Sequence, residues 1–353
     1  MKRNPIIFGV ACIVLCVTLL LISPSADLIA DLQNENTSTH ISLPTTLKVI
    51  LIQFQDVRWD SFRVGSQWNG YNKVHTLSDF QALLASLGTY TGTNSDGDAV
   101  FGSFRDYFYE NSRQTYSPTV QFLHTADANG YPDWVTMPGN KSAYNIGNIV
   151  AAANSAAQAA GKDITTSATV KLCYIHAGNF YPVISIFATG LHGDYMVVPE
   201  RFNNTTFRGQ EDISLTLTHI GYYAHEYIHL MGSHHTLTSN HWDVMHHGHR
   251  SGLGSGNNTV ANCPASMNPW LLHKSGWASL SFINSDLTNV NLVYNTSPTT
   301  QSTFYIRKIV GPDECFLGEN RWFSRTYDQA LPPIFLGLSG GIMIWNIIGF
   351  GLN

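Results

Sequence analysis

His225, Glu226 and His229 stand in the order His-Glu-x-x-His, and Gly232 and His235 extend the pattern to HExxHxxGxxH. On a helix, residues four apart share a face, so His225 and His229 can aim both imidazoles at one ion. Glu226 follows the first of them and can reach a water on that ion without ligating it. Gly232 suits a helix end because it takes a positive φ without strain. The chain can then turn back and deliver His235 to the same ion. Three ring nitrogens with an open fourth position is how catalytic zinc is held; structural zinc takes four protein ligands. The expectation is one catalytic Zn2+ on His225, His229 and His235, with Glu226 as general base. Zinc lowers the pKa of a bound water to about 7 and polarises a carbonyl, and a neighbouring carboxylate takes the proton, so the chemistry is peptide hydrolysis.

Nine of the fifteen histidines fall between His219 and His249. His246 and His247 are candidates to buttress the ligands or to donate to a developing oxyanion. Met245 lies ten residues after His235, within Trp242-Asp243-Val244-Met245. A methionine turn beneath the metal marks the metzincins. After Glu226 the next glutamate is Glu314, so a third ligand from a glutamate one helix later has no candidate. If His235 is not that ligand, Asp243 or a histidine between 241 and 249 takes its place. A non-catalytic metal-binding or adhesive protein on the same scaffold is the rival reading, and it would have no use for Glu226. A histidine-rich metal buffer would scatter its histidines rather than order them.

A helix from about Thr216 to Met231, stopped by Gly232, must carry the motif. Strands are expected at Leu47–Val57, which opens with an almost unbroken apolar run, at Val170–His176, and at Tyr195–Val198, closed by Pro199. Residues 195–198 are the candidate edge for an extended substrate. Further helices are expected at Phe101–Asn111, at Tyr144–Ala160 before Gly161, and near Pro269–Lys274. Strand-like runs follow at Asn291–Tyr294, Thr303–Ile309 and Ile342–Ile348. The mixture reads as α+β with a β-rich C-terminal portion.

Several ordered segments around the motif are similar to the immune inhibitor A family of secreted metallopeptidases. Val49 to Val57 resembles that family's opening strand. Gly102-Ser103-Phe104-Arg105-Asp106-Tyr107-Phe108-Tyr109-Glu110-Asn111-Ser112 resembles its GSxRDYYxENS segment. Trp242 to Met245 with Gly248 resembles its WDxMxxG turn. Lys274 to Trp277, Glu319-Asn320-Arg321 and Gly341 to Trp345 resemble later elements in the same order. The resemblance implies a metzincin-like zincin domain with a twisted mixed sheet and an active-site helix. Many members carry Asp where His235 stands, and often His where Asn346 stands. Some relatives in that family bind structural Ca2+, for which this sequence assigns no ligand loop.

Charged residues make up 12% of the chain, about half the usual share of roughly 25%. Net charge is −5 without a long basic run, which argues against nucleic acid as a partner. Lys2 and Arg3, the apolar run Ile6–Ile22 and the small residues at 23–26 have the layout of a secretory signal. The alternative is a membrane anchor through residues 6–22. The organisation expected is a signal peptide at 1–26, a linker or short pro-segment at 27–46, and a catalytic domain at 47–353 with its subdomains meeting near 232. The product would be extracellular and monomeric, act on proteins or peptides, and have no stable membrane association once cleaved. Cys173, Cys263 and Cys315 remain after the signal and permit one disulfide at most.

Overall fold

Leu47 to Phe54 has no polar face to show to water, and in the computed structural model it forms a strand covered on both sides. The structure describes residues 43–60, 74–145, 147–179, 193–202, 216–233, 242–252, 261–282, 303–308, 314–322, 327 and 340–348. His234, His235, His241, the N-terminal apolar run, most of the expected linker and Asn291–Tyr294 lie outside them. The described residues all fall within one unit, 40–353.

Strand β1 is Thr46–Gln53. Along one edge it pairs in parallel with β4 (Thr119–Phe122) and β5 (Val135–Thr136), and along the other with β6 (Val170–Asn179). Strand β7 (Tyr195–Phe202) runs parallel to β6, and the two-residue β8 (Thr216–Leu217) pairs antiparallel with its end. The side-chain period of two divides β1 between two cores. Leu47, Val49 and Leu51 face helices α1 (Leu77–Ala85), α2 (Phe104–Asn111) and α4 (Ile220–Leu230). Ile50, Ile52 and Phe54 face α3 (Ile149–Ala159) and Met137. Helices on both faces explain the unbroken apolar run.

A hairpin, β2 (Thr91–Thr93) and β3 (Ala99–Phe101), links α1 to α2. Beyond α4 comes the short helix α5 (Pro269–Lys274), then a second sheet. Its strands are β9 (Ser279–Phe282), β10 (Thr303–Lys308), β11 (Glu314–Trp322) and β12 (Gly340–Ile348), in the order β12-β11-β10-β9. The fold is α+β with a mixed sheet, as expected.

Several boundaries differ from the sequence reading. The first strand ends at Gln53, because Phe54 N–H turns to donate to the Val57 carbonyl. Strand β7 runs through Pro199 to Phe202, since the β6–β7 register shifts between His176 and Asn179 and such a bulge tolerates a missing N–H. Helix α2 begins at Phe104, where Ser103 and Asp106 cap each other's backbone N–H. Helix α3 begins at Ile149 rather than 144, because Asn145 and Asn148 side chains satisfy the backbone in a turn ahead of it. The stretch expected as helix from Thr216 is strand for two residues before α4 starts. Cys173 and Cys263 are buried free thiols, so the disulfide that the cysteine count permits is not made through them. No helix among the described residues is long and apolar enough to cross a membrane.

Candidate metal centre

Helix α4 is buried all round apart from the half-buried Tyr222, so it is a core helix rather than an amphipathic one. It packs so closely on the turn at 247–250 that a Cβ on Gly221 would stand 2.0 Å from the His249 carbonyl oxygen and 2.9 Å from Ala261 Cβ. Gly232 ends the helix at φ +93°, and Gly232 N–H donates to the His229 carbonyl.

His225, Glu226 and His229 meet on one side of α4. Their ligand atoms all lie within 4.8 Å of one another, and the three residues are buried. His225 Nδ1 donates to the Val244 carbonyl at 2.7 Å, and His229 Nδ1 to the Ser233 carbonyl at 2.7 Å. A nitrogen that donates to a carbonyl carries the proton, so in each neutral ring Nε2 carries the lone pair. His225 Nε2 faces Glu226 Oε1 at 3.9 Å. Two imidazole lone pairs beside a carboxylate, out of water, form a set that a cation relieves. The residues therefore fit a metal ion, and fixing Nδ1 on backbone carbonyls orients such ligands. Among the described residues no second group of three His, Cys, Asp or Glu could hold an ion, and none is assigned to calcium.

The turn that supplies the Val244 carbonyl is tightly built. Met245 is fully buried. Asp243, also fully buried, accepts from Met245 N–H through Oδ1 and from Asn268 Nδ2 through Oδ2. Its carboxylate thus braces the turn. Asn268 in turn caps α5 through Leu271 N–H. His246 Nδ1 accepts from His247 N–H, a local cap, and the two rings stand 4.2 Å apart. His249, given no role by its spacing, packs its ring 4.4 Å from that of His225. Burial above all pushes its pKa well down, so it is a neutral wall of the site.

Residues 42–177 match the family model of the immune inhibitor A peptidase M6 catalytic domain. That stretch is similar to the catalytic domain of immune inhibitor A-like metallopeptidases. The matched span takes in β1 and most of β6, and it ends before α4 begins. No curated protein matches the chain. The metallopeptidase family implies a metal cofactor and a protein or peptide substrate.

The other segments of the resemblance converge on the turn. Tyr107 OH donates to the Ala265 carbonyl, and Asn111 Oδ1 accepts from Met267 N–H. Arg321 donates to the carbonyls of Trp242 and Met267, and it pairs with Glu319 at 3.0 Å. Trp345 Nε1 donates to Glu319, and the Arg321 guanidinium lies over the Trp345 ring. Spacing alone did not single out Arg321, although the Glu319-Asn320-Arg321 resemblance pointed to its segment. The tie at the back of α4 had no sequence signal: Tyr227 OH donates to the Pro44 carbonyl at 2.8 Å, and Tyr116 OH reaches the same oxygen.

Proposed function

We propose that the chain is a secreted, zinc-dependent endopeptidase in which His225, His229 and His235 hold the metal and Glu226 is the general base. The observation that carries the reading is the pinned pair of imidazoles, His225 on Val244 and His229 on Ser233, with Glu226 beside their Nε2 atoms. Zinc in that position supplies a Lewis acid for the scissile carbonyl and makes a water acidic near neutral pH. His225 and His229 bind and orient, because their tautomers are set by the carbonyls behind them. Glu226 accepts the proton of the attacking water and returns it to the leaving amine. Burial of the carboxylate and of both rings excludes bulk water from the transfer. His246 and His247 flank the turn and are the proposed oxyanion donors. His235 is the proposed third ligand, carried back by the turn at Gly232.

The deciding variant is Glu226→Ala. It is expected to keep its metal and to lose turnover by about 10²–10⁴-fold, the usual contribution of a positioned base. Zinc per chain after dialysis and cleavage of a general protein substrate are the two readings. Near-normal cleavage at matched zinc content would sink the mechanism. Export is proposed from the N-terminal pattern, with a mature chain starting near Ala26 or Asp27; N-terminal sequencing of secreted material that began at Met1 would overturn it.

A further inference from the structure

His75 lies at the mouth of α1 with no exposed side-chain surface, and both of its ring nitrogens face carboxylates. Nε2 is 2.9 Å from Asp96 Oδ2, and Nδ1 is 2.9 Å from Glu200 Oε1. A neutral imidazole has one N–H, so its other nitrogen would set a lone pair against a carboxylate oxygen. Only the doubly protonated ring satisfies both contacts. Arg201 lies 3.5 Å from Glu200 and is equally buried. Two carboxylates, one imidazolium and one guanidinium leave the cluster without net charge, which is the condition for ionic groups out of water.

The same groups hold the backbone that leads into α4. Asp96 Oδ2 also accepts from Leu217 N–H at 2.8 Å, and Glu200 Oε2 accepts from Gly178 N–H at 3.1 Å. The Glu200 carbonyl accepts from Thr218 N–H at 2.8 Å. His219, the next residue and the N-cap of α4, pairs with Asp98 of the same hairpin at 3.4 Å.

We propose that His75 is a positioning residue, an imidazolium clasp between Asp96 and Glu200 that fixes the lead-in to the metal-bearing helix and loosens at alkaline pH. The clasp stands apart from the zinc reading, and only its connection to metal retention rests on that reading.

The groups facing His75 set the sign. Burial opposes its charge, but the hydrogen bonds to Asp96 and Glu200 outweigh burial and the Arg201 charge, and the pKa is raised. Burial likewise opposes the charge of Asp96, yet His75 holds that carboxyl down to about 2. Glu200 is also lowered, against burial, by Arg201 and His75. The Phe80 ring edge closes the site from α1. A raised histidine stabilises fully below its unfolded value of about 6.5, and that contribution is lost as pH rises through the folded value. Lys141, lowered by burial to about 8, feels Glu200 as well. Its effect has the opposite sign, since a depressed lysine releases its penalty as pH rises.

The test uses the full chain. Long-range proton–nitrogen correlation spectra across a pH series should show both ring nitrogens of His75 staying protonated to higher pH than in a free imidazole, and that signal should be absent in His75→Gln and shifted in Asp96→Asn. A His75 ring that turns neutral at or below the pH of a free imidazole would overturn the clasp. Amide exchange should speed up by about tenfold or more at Leu217–Tyr223 in His75→Gln, or in Asp96→Asn if the first variant does not fold, and stay unchanged in α3. Unchanged exchange at Leu217–Tyr223 would overturn the positioning role. The alkaline fall in melting temperature should flatten in the variant, and identical profiles would overturn the pH dependence. Zinc per chain, read on the same samples, tests only the connection to the metal.

Discussion

Gly221→Ala separates two physical effects of opposite sign. Gly221 sits in the first turn of α4, where alanine is intrinsically better than glycine by about 1 kcal/mol. If helix propensity ruled, the variant would be more stable. The added methyl, however, would stand 2.0 Å from the His249 carbonyl oxygen, 2.9 Å from Ala261 Cβ and 3.0 Å from the Ala261 carbonyl oxygen. Two of these three are backbone atoms, which cannot rotate aside as a side chain would. Gly221 N–H also donates to the Ala261 carbonyl, so the two segments cannot separate without losing that bond. Overpacking of this kind costs about 1–3 kcal/mol and occasionally more, and the lack of a yielding neighbour puts this site at the upper end. Set against the propensity gain, the net loss is about 2 kcal/mol. In a domain of this size that lowers the melting temperature by about 3 °C. The displacement also pulls α4 away from the turn that binds His225 Nδ1. Metal affinity should then fall about 10–100-fold, the usual cost of a lost ligand-orienting contact. Thermal unfolding and a metal competition titration read the two effects. A melting temperature equal to or above that of the parent, with metal affinity unchanged, would refute the close-packing argument.

Four further variants probe the turn and the proposed third ligand. Met245→Leu should fold and keep its metal, at a cost below about 1.5 kcal/mol, because a fully buried thioether is replaced by a side chain of similar volume; complete loss of zinc would mean that the sulfur does more than pack. His235→Ala should lose zinc on dialysis while His234→Ala keeps it, and His235→Asp should retain part of the activity because a carboxylate also ligates zinc. The reverse order for the two alanine variants would move the third ligand to His234.

The sequence was most legible where one local rule decided the outcome. An apolar run buried on both faces is recognisable in β1, and His225 with His229 four residues apart needed only a helix beneath them. Legibility failed where tertiary partners decided. Thr216 and Leu217 are strand because Arg201 and Phe202 lie opposite, and nothing near residue 216 encodes that pairing. Helix α1 was missed although Thr76 and Asp79 form its capping box. Strand β11 was missed because its polar residues look like a loop. Glu319 and Arg321 in fact point inward as a buried pair that braces the metal turn. His75 was invisible for the same reason, with partners 21 and 125 residues away.

The Arg321 brace has a consequence for timing. Its guanidinium grips a carbonyl 79 residues earlier in the chain, and its own partner Glu319 is held by Trp345. A protein is made from its N-terminus, so α4 and the methionine loop emerge long before their strut. Until the last strands arrive, the Val244 carbonyl that orients His225 sits in a loop that Asp243 and Asn268 hold without the Arg321 brace. Chain order thus makes the orientation of His225 one of the last features to be set, by residues nearly a hundred positions further along the sequence than the imidazole they steady.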